Sequence, residues 1–501
     1  MASYVEIVFG IVALIAALYY YFTSTFDFWK VRGVPGPKPV PVFGNIKDTM
    51  LLRTSMSNLL RNLYQEYKDE PMIGIFTRRT PVLIVRDPEL IRDVLIRDFS
   101  KFSDRGIPNN EKVEPLSSHL FNLETERWRP LRTRLSPVFT SGKLKEMFPL
   151  ILECAEHLTQ YLEKVVAKGE PVECRELSAK YTTDVIGSCA FGIEMNALTD
   201  EDSEFRRVGR KVFATGFMQV LKLQLRQAFP WIFILLNYVT SPAEVTTFFT
   251  KVIVDTMKYR TENHLVRPDF VNMLMELKNH PDKLENVELT DTLLTAQAFV
   301  FFIAGFETSS TAMSNALYEL ALNPNIQEKL REEIRRHYNQ NNGELKFEGI
   351  KDMTYLDLIF RETLRKYPPG PSMMRKSICN YTFDGTKVTI PAKTFIWIPL
   401  FAIHRDPNIY ANPDAFIPER FSDDAVVKRH PMHYLPFGDG PRNCVGARFA
   451  AYQSKVGLMK ILRNHKVEVC EKTMIPYVID PNAFLLAPKG GIYLKITKIE
   501  S

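Results

Sequence analysis

The chain opens on an uninterrupted apolar run. From Ile7 to Phe26 (IVFGIVALIAALYYYFTSTF) no residue is charged. At about 1.5 Å per helical residue such a run reaches roughly 30 Å, the thickness of a bilayer core. Tyr19, Tyr20 and Tyr21 lie towards one end, where interfacial aromatics belong. The start carries Glu6 and no Lys or Arg, and no small-residue cleavage motif is present after it, which argues for a retained anchor over a cleaved signal peptide. Lys30 and Arg32 come after the run, so the positive-inside rule places the rest of the chain in the cytoplasm. The stretch Val34–Asn45 (VPGPKPVPVFGN) then sets four prolines between Pro35 and Pro41, a stiff and extended spacer. A second apolar run, Phe229–Tyr238 (FPWIFILLNY), is too short to span. It fits a dip into the membrane face and a core segment equally well.

Beyond residue 45 the pattern is mostly that of helix. Strand-like pieces are brief: Met72–Val85, TKVTIP with FIWIP, and the final GGIYLKI. The longest helical stretch begins at Thr290, an N-cap residue, and runs to Leu322, where Asn323-Pro324 stops it. Its centre, AFVFFIAGFETSSTAM, is apolar and then abruptly polar. The apolar part is too short for a membrane span and predicts a buried core helix. Glu307 in that setting is expensive unless it is paired or functional. A second helix, in FRETLRKYPPGPSMMR (Phe360–Arg375), is broken at Pro368 and Pro369. Glu362 and Arg365 share one of its faces. In ERWRPLRTRLSP, Trp128 and Arg132 likewise fall on one helix face. The expected organisation is an anchor over 1–28, a spacer over 29–45 and one body over 46–501.

Composition changes this picture little. Of 501 residues, 45% are apolar and 24% charged, and the net charge is +6. That is ordinary globular composition and does not point to nucleic acid. Six cysteines (Cys154, Cys174, Cys189, Cys379, Cys444, Cys470) are irregularly spaced, with no C-x-x-C pair. A disulfide framework or a zinc site is therefore not expected, and a reducing compartment is.

One cysteine stands apart. In PFGDGPRNCVGARFA (Pro436–Ala450) three glycines and two prolines crowd around Cys444, and a helix-like run comes next. Together with four other segments this resembles the cytochrome P-450 family, the haem-thiolate monooxygenases. Phe437, Gly440, Arg442, Cys444 and Gly446 match the family's F-x-x-G-x-R-x-C-x-G signature. ETLR matches its E-x-x-R motif, AGFET (Ala304–Thr308) its oxygen-side motif, WRPLR its W-x-x-x-R motif, and PERF (Pro418–Phe421) the segment whose Arg joins the E-x-x-R pair. All stand in the family's order, and the likeness covers the whole chain, in the style of insect microsomal members that handle toxins.

The resemblance implies a mainly α fold with small β-sheets, the cytochrome P-450 fold with an N-terminal transmembrane anchor. It implies haem b, with Cys444 as the iron's thiolate ligand, and a thiolate pushes electron density that favours O–O cleavage. Glycines 438, 440 and 446 would allow tight turns aiming N–H groups at the sulfur. Arg132, Arg375 and Arg442 would hold the haem carboxylates, with Trp128 as an N–H donor and Phe437 in the cradle. Ala304, Gly305, Glu307 and Thr308 would face the oxygen side. There Gly305 would let backbone approach, Thr308 bond the oxygen and Glu307 relay protons. Against that, Thr308 also has the plain option of bonding its own helix backbone. Glu362, Arg365 and Arg420 would form a structural triad.

Electrons would come from NADPH through a separate membrane reductase, docked on Arg127, Arg129, Arg134 and Arg448. Substrates would be small and lipophilic, xenobiotics such as plant toxins or insecticides. Pocket walls would include Ile107, Phe121, Phe213, Phe217, Phe301, Ala304, Ser372 to Met374 and Phe484. The expected location is the endoplasmic reticulum membrane, on its cytoplasmic side. An endogenous steroid or fatty-acid hydroxylase, a haem-thiolate isomerase or dehydratase, a non-catalytic membrane-tethered haem protein and a non-haem scaffold remain the alternatives. The intact Glu307-Thr308 pair argues against the isomerase or dehydratase.

Overall fold

A computed structural model describes residues 4–200, 203–213, 232, 235, 243–267, 269–280, 287–483 and 485–499. The second apolar run, Phe217 and Phe484 lie outside these residues or almost wholly so. The chain falls into two compact units. The first holds Met1–Gly106, Gly370–Ala411 and His430–Asn443; the second holds Ile107–Pro369, Asn412–Arg429 and Cys444–Ser501.

The first unit begins with helix α1, Tyr4–Thr23, which has no buried residue. It is long and apolar enough to cross a membrane. The segment after it is not a loose tether. Trp29 is 3% exposed, and its indole N–H donates to the Ile75 carbonyl at 2.9 Å. Its ring lies where a side chain on Gly74 would project: a Cβ there would come within 2.3 Å of Trp29 Cγ. The Gly74 N–H donates to the Pro35 carbonyl, and Asn45 bonds both Pro37 and Phe76. The proline-rich stretch is therefore laid along a sheet, where its missing donors cost nothing.

That sheet has four strands: β1 (Met72–Thr77), β2 (Thr80–Val85), β3 (Met373–Lys376) and β4 (Phe395–Ile398), in the order β1-β2-β4-β3. The hairpin β1–β2 pairs Met72 with Val85 and Thr77 with Thr80. β2 runs parallel to β4, and β3 runs antiparallel to β4, setting Arg375 opposite Ile396. Alternation gives the sheet two covered faces. Met72, Phe76, Leu83 and Val85 join one cluster with Trp29, and Ile73, Ile75, Val82 and Ile84 join another with Leu60 and Leu63.

The second unit is helical. Its labelled helices are α2 (Thr125–Leu135), α3 (Cys174–Ile186), α4 (Asp291–Leu322), α5 (Thr354–Lys366) and α6 (Ala447–Asn464). α4 is the core helix that its sequence predicts. The Thr290 hydroxyl accepts from the Leu293 N–H at 3.1 Å, and the helix ends at Asn323, before the Pro324 that opens the next one. α5 stops at Tyr367, ahead of Pro368 and Pro369. A small sheet pairs Val172–Glu173 and His465–Glu468 with Tyr493–Lys498. GGIYLKI thus contributes a strand as expected, whereas TKVTIP supplies only Thr389–Ile390.

Candidate functional site

In the first unit two guanidiniums are buried side by side. Arg375 projects from β3 and is 2% exposed; Arg442 is equally buried. Arg375 Nη1 donates to the Met374 carbonyl at 2.9 Å, while its Nε is buried with no partner among the described residues. Burial and the neighbouring Arg442 push its pKa down to about 10. A cation held this way asks for an anion. Arg442 donates to the Ser103 carbonyl, and its own carbonyl accepts from Arg105 at 3.2 Å. The turn before it needs its glycines. Gly438 and Gly440 have φ of +69° and +72°, and a Cβ on Gly440 would stand 1.9 Å from the Leu95 oxygen. Gly446 has an ordinary φ of −93° and precedes α6, so no backbone strain requires glycine there. Phe437 in the same turn is half-buried.

The second unit begins its share with Cys444, which is exposed. Cys154, Cys174 and Cys189 are buried, and burial raises their thiol pKa values, that of Cys154 to about 12. Those three are inert packing residues. Arg132 lies near Cys444: burial lowers its pKa, and the sulfur's charge partly offsets the fall. Trp128, on the same helix α2, is buried. Among the described residues no group of three or more His, Cys, Asp or Glu could hold a metal ion. A lone thiolate is one ligand of a set, so a metal here would bring the others with it, as a macrocycle does.

Helix α4 is buried almost all round, yet Ala304 is exposed and Ile303, Gly305 and Thr308 are half-buried in mid-helix. Ala304 and Thr308 are one turn apart, so the open stripe has the helical period. The Thr308 hydroxyl donates to the Ala304 carbonyl at 2.7 Å, the plain backbone option. Gly305 also has a packing reason. A Cβ there would meet Ile186 Cδ1 of α3 at 2.4 Å, so the glycine serves the crossing of two helices. Buried Glu307 is ion-paired with Arg175 of α3, whose side chain is 31% exposed. That partner answers why a carboxylate is tolerated there, and no spacing in the sequence announces it. Gln453 of α6 is the other residue that motif reading passes over. It bonds the Gly305 carbonyl and the Ser309 hydroxyl.

The triad forms as expected. Glu362 and Arg365 are wholly buried and bonded through two contacts of 2.7 and 2.8 Å. Arg420 Nε stands 3.4 Å from Glu362, and the Ile417 N–H donates to the same carboxylate. Of the expected pocket walls, Phe301 stacks on Phe139 with ring centroids 5.1 Å apart and is buried, whereas Phe121 is exposed. Of the expected dock, Arg129, Arg134 and Arg448 are exposed, and Arg127 is paired with Glu111 and Glu124.

Each unit by itself carries groups that suit a haem: in the first, Arg375 and Arg442 are buried cations suited to carboxylates; in the second, Cys444 is an accessible sulfur and the Ala304–Thr308 stripe an open helix face. Comparison with known proteins agrees. The family model for cytochrome P450 matches residues 34–495. Cytochrome P450 6a2 of Drosophila melanogaster is 40% identical, with 98% of this chain and 99% of the relative aligned. Cytochrome P450 6A1 of Musca domestica is 38% identical over 99% of this chain and 98% of its own, and Cytochrome P450 6k1 of Blattella germanica 38% over 97% and 95%. With a full-length match of this kind laid over a buried pair of arginines and an exposed cysteine in its glycine turn, the chain belongs to the cytochrome P450 family and is a haem-dependent monooxygenase.

Proposed function

We propose that this chain inserts one oxygen atom from O2 into small lipophilic xenobiotics, such as plant toxins or insecticides, with electrons from NADPH through a separate reductase. The group it holds is haem b, and it works at the cytoplasmic side of the endoplasmic reticulum membrane. The observation that carries the haem part is Arg375, a buried cation whose Nε has no partner among the described residues. When bound, the haem supplies oxygen activation, with the other oxygen atom leaving as water.

The chain's own residues have the remaining roles. Cys444 would hold the haem iron as its thiolate ligand. Arg132, Arg375 and Arg442 would hold the haem propionates, with Trp128 as an N–H donor and Phe437 packed in the cradle. Ala304 and Gly305 bring helix backbone to the oxygen side. Thr308 holds a proton there, and to donate it forward its hydroxyl leaves the Ala304 carbonyl. Glu307 passes protons inward from solvent once its carboxylate exchanges Arg175 for water. The aromatic and apolar residues near α4 favour a lipophilic ligand. Exposed Arg129, Arg134 and Arg448 are the surface for an acidic reductase.

Reconstitution with a microsomal reductase, NADPH and a panel of plant toxins, insecticides, steroids and fatty acids tests this reading. Turnover confined to steroids or fatty acids would replace the xenobiotic assignment. Cys444→Ala is expected to abolish the red-shifted band of the reduced carbon monoxide complex. Retention of that band would sink the ligand assignment.

A further inference from the structure

We propose that Gln453 is a positioning residue that fixes the 304–308 segment of α4 against the Cys444 end of α6. The inference rests on the haem-thiolate reading above. Gln453 lies about two turns into α6, whose first residue, Ala447, comes just after the Cys444 loop. Its side chain has no exposure. The amide nitrogen donates to the Gly305 carbonyl at 2.9 Å and to the Ser309 hydroxyl at 2.5 Å. A carbonyl only accepts, so the amide orientation is set by Gly305. The amide oxygen is buried without a partner among the described residues, so this group is not placed there to satisfy itself.

The next carbonyl of α4 is gripped from the other flank. Phe306 accepts from the Thr182 hydroxyl of α3 at 2.9 Å. Two consecutive carbonyls thus each take a side-chain donor from a different helix. Such bonds compete with the helix's own ladder for the same carbonyls. Gly305 removes the side chain that would keep α3 away. Ala304 and Thr308, on the open stripe, lie within a turn of both gripped carbonyls. The Tyr181 hydroxyl of α3 bonds the Gln453 backbone carbonyl at 3.1 Å, which closes the three-helix junction. One rigid helix therefore connects the thiolate to the backbone beside Thr308.

The test uses the full-length protein with Gln453→Met, which keeps size and loses the donor, and Gln453→Glu, which donates only while protonated. For Q453M the expectation is haem content and a thiolate-type carbon monoxide band near wild type. Its carbon–oxygen stretching frequency should shift, and product formed per NADPH should fall roughly tenfold, the worth of one ordinary hydrogen bond. Should Q453M fail to hold haem, Q453E decides: its coupling and stretching frequency should change with pH, worsening as pH rises. Amide exchange across residues 303–311 should quicken in Q453M with or without haem. A Q453M protein with wild-type stretching frequency, coupling and exchange overturns the proposal, as does a Q453E protein as insensitive to pH as wild type. Failure of the monooxygenase reading shows separately, as a wild-type protein without the thiolate band.

Discussion

Arg375 is costly to bury, and the cost should be measurable. Its guanidinium stands beside Arg442, and its Nε has no partner among the described residues. Replacing a buried ion by a well-packed apolar chain is often stabilising by about 1–4 kcal/mol. Arg375→Met is therefore expected to raise the thermal stability of the haem-free protein while weakening haem retention. Opposite signs in the two measurements mark a cation kept for a ligand; a loss in both would mark a structural one. Thr308 presents the reverse case. Among the described residues its hydroxyl bonds just its own helix, so Thr308→Ala should leave stability within about 0.5 kcal/mol of wild type. Haem content should stay normal, while peroxide replaces product as the fate of NADPH. Unchanged coupling would remove Thr308 from proton delivery. The two positive-φ glycines and the Glu362–Arg365 pair could be read from the sequence, because both are local. Arg175 and Gln453 could not, since each acts through a partner far along the chain.

At the scale of elements, α4 was the most legible piece. Thr290 and the Asn323-Pro324 stop are chemistry within one or two residues of each helix end, so its limits needed no tertiary information. What the sequence could not show was which neighbour would need Gly305 to be small. The crossing with α3 makes Gly305→Ala a steric lesion, expected to cost about 1–3 kcal/mol. Ile186→Ala removes both close atoms and carries its own cavity penalty. The double variant should nevertheless be less unstable than the two single losses combined, by about 0.5–3 kcal/mol in a thermal or denaturant cycle. Strict additivity would show that the two side chains do not meet. The short strands were harder to delimit. TKVTIP has strand character throughout, yet only Thr389 and Ile390 find a partner, because pairing depends on what lies opposite.

At the scale of the molecule, the joint between α1 and the first unit decides where the chain can be cut. Removing residues 1–22 should free the protein from carbonate-resistant sedimentation while haem content is retained. Extending the cut through Val34 also strips Trp29 from Gly74, and loss of a buried Trp side chain costs about 3–5 kcal/mol. Equal thermal stability of the two truncations would show that the joint carries no weight. The joint has a second tie. Arg79, at the turn of the β1–β2 hairpin, holds its guanidinium 3.7 Å from the Tyr21 ring and bonds Ser24, while the Thr25 hydroxyl bonds the Arg79 carbonyl. The two sides of this short boundary are therefore held to different physical requirements. Upstream of Tyr21 the helix has no buried residue, and its demand is apolar length alone. From Thr25 to Asn45 the chain answers to a sheet at Thr25, Trp29, Pro35 and Asn45, and a stretch that reads as a leash is part of the enzyme's own architecture.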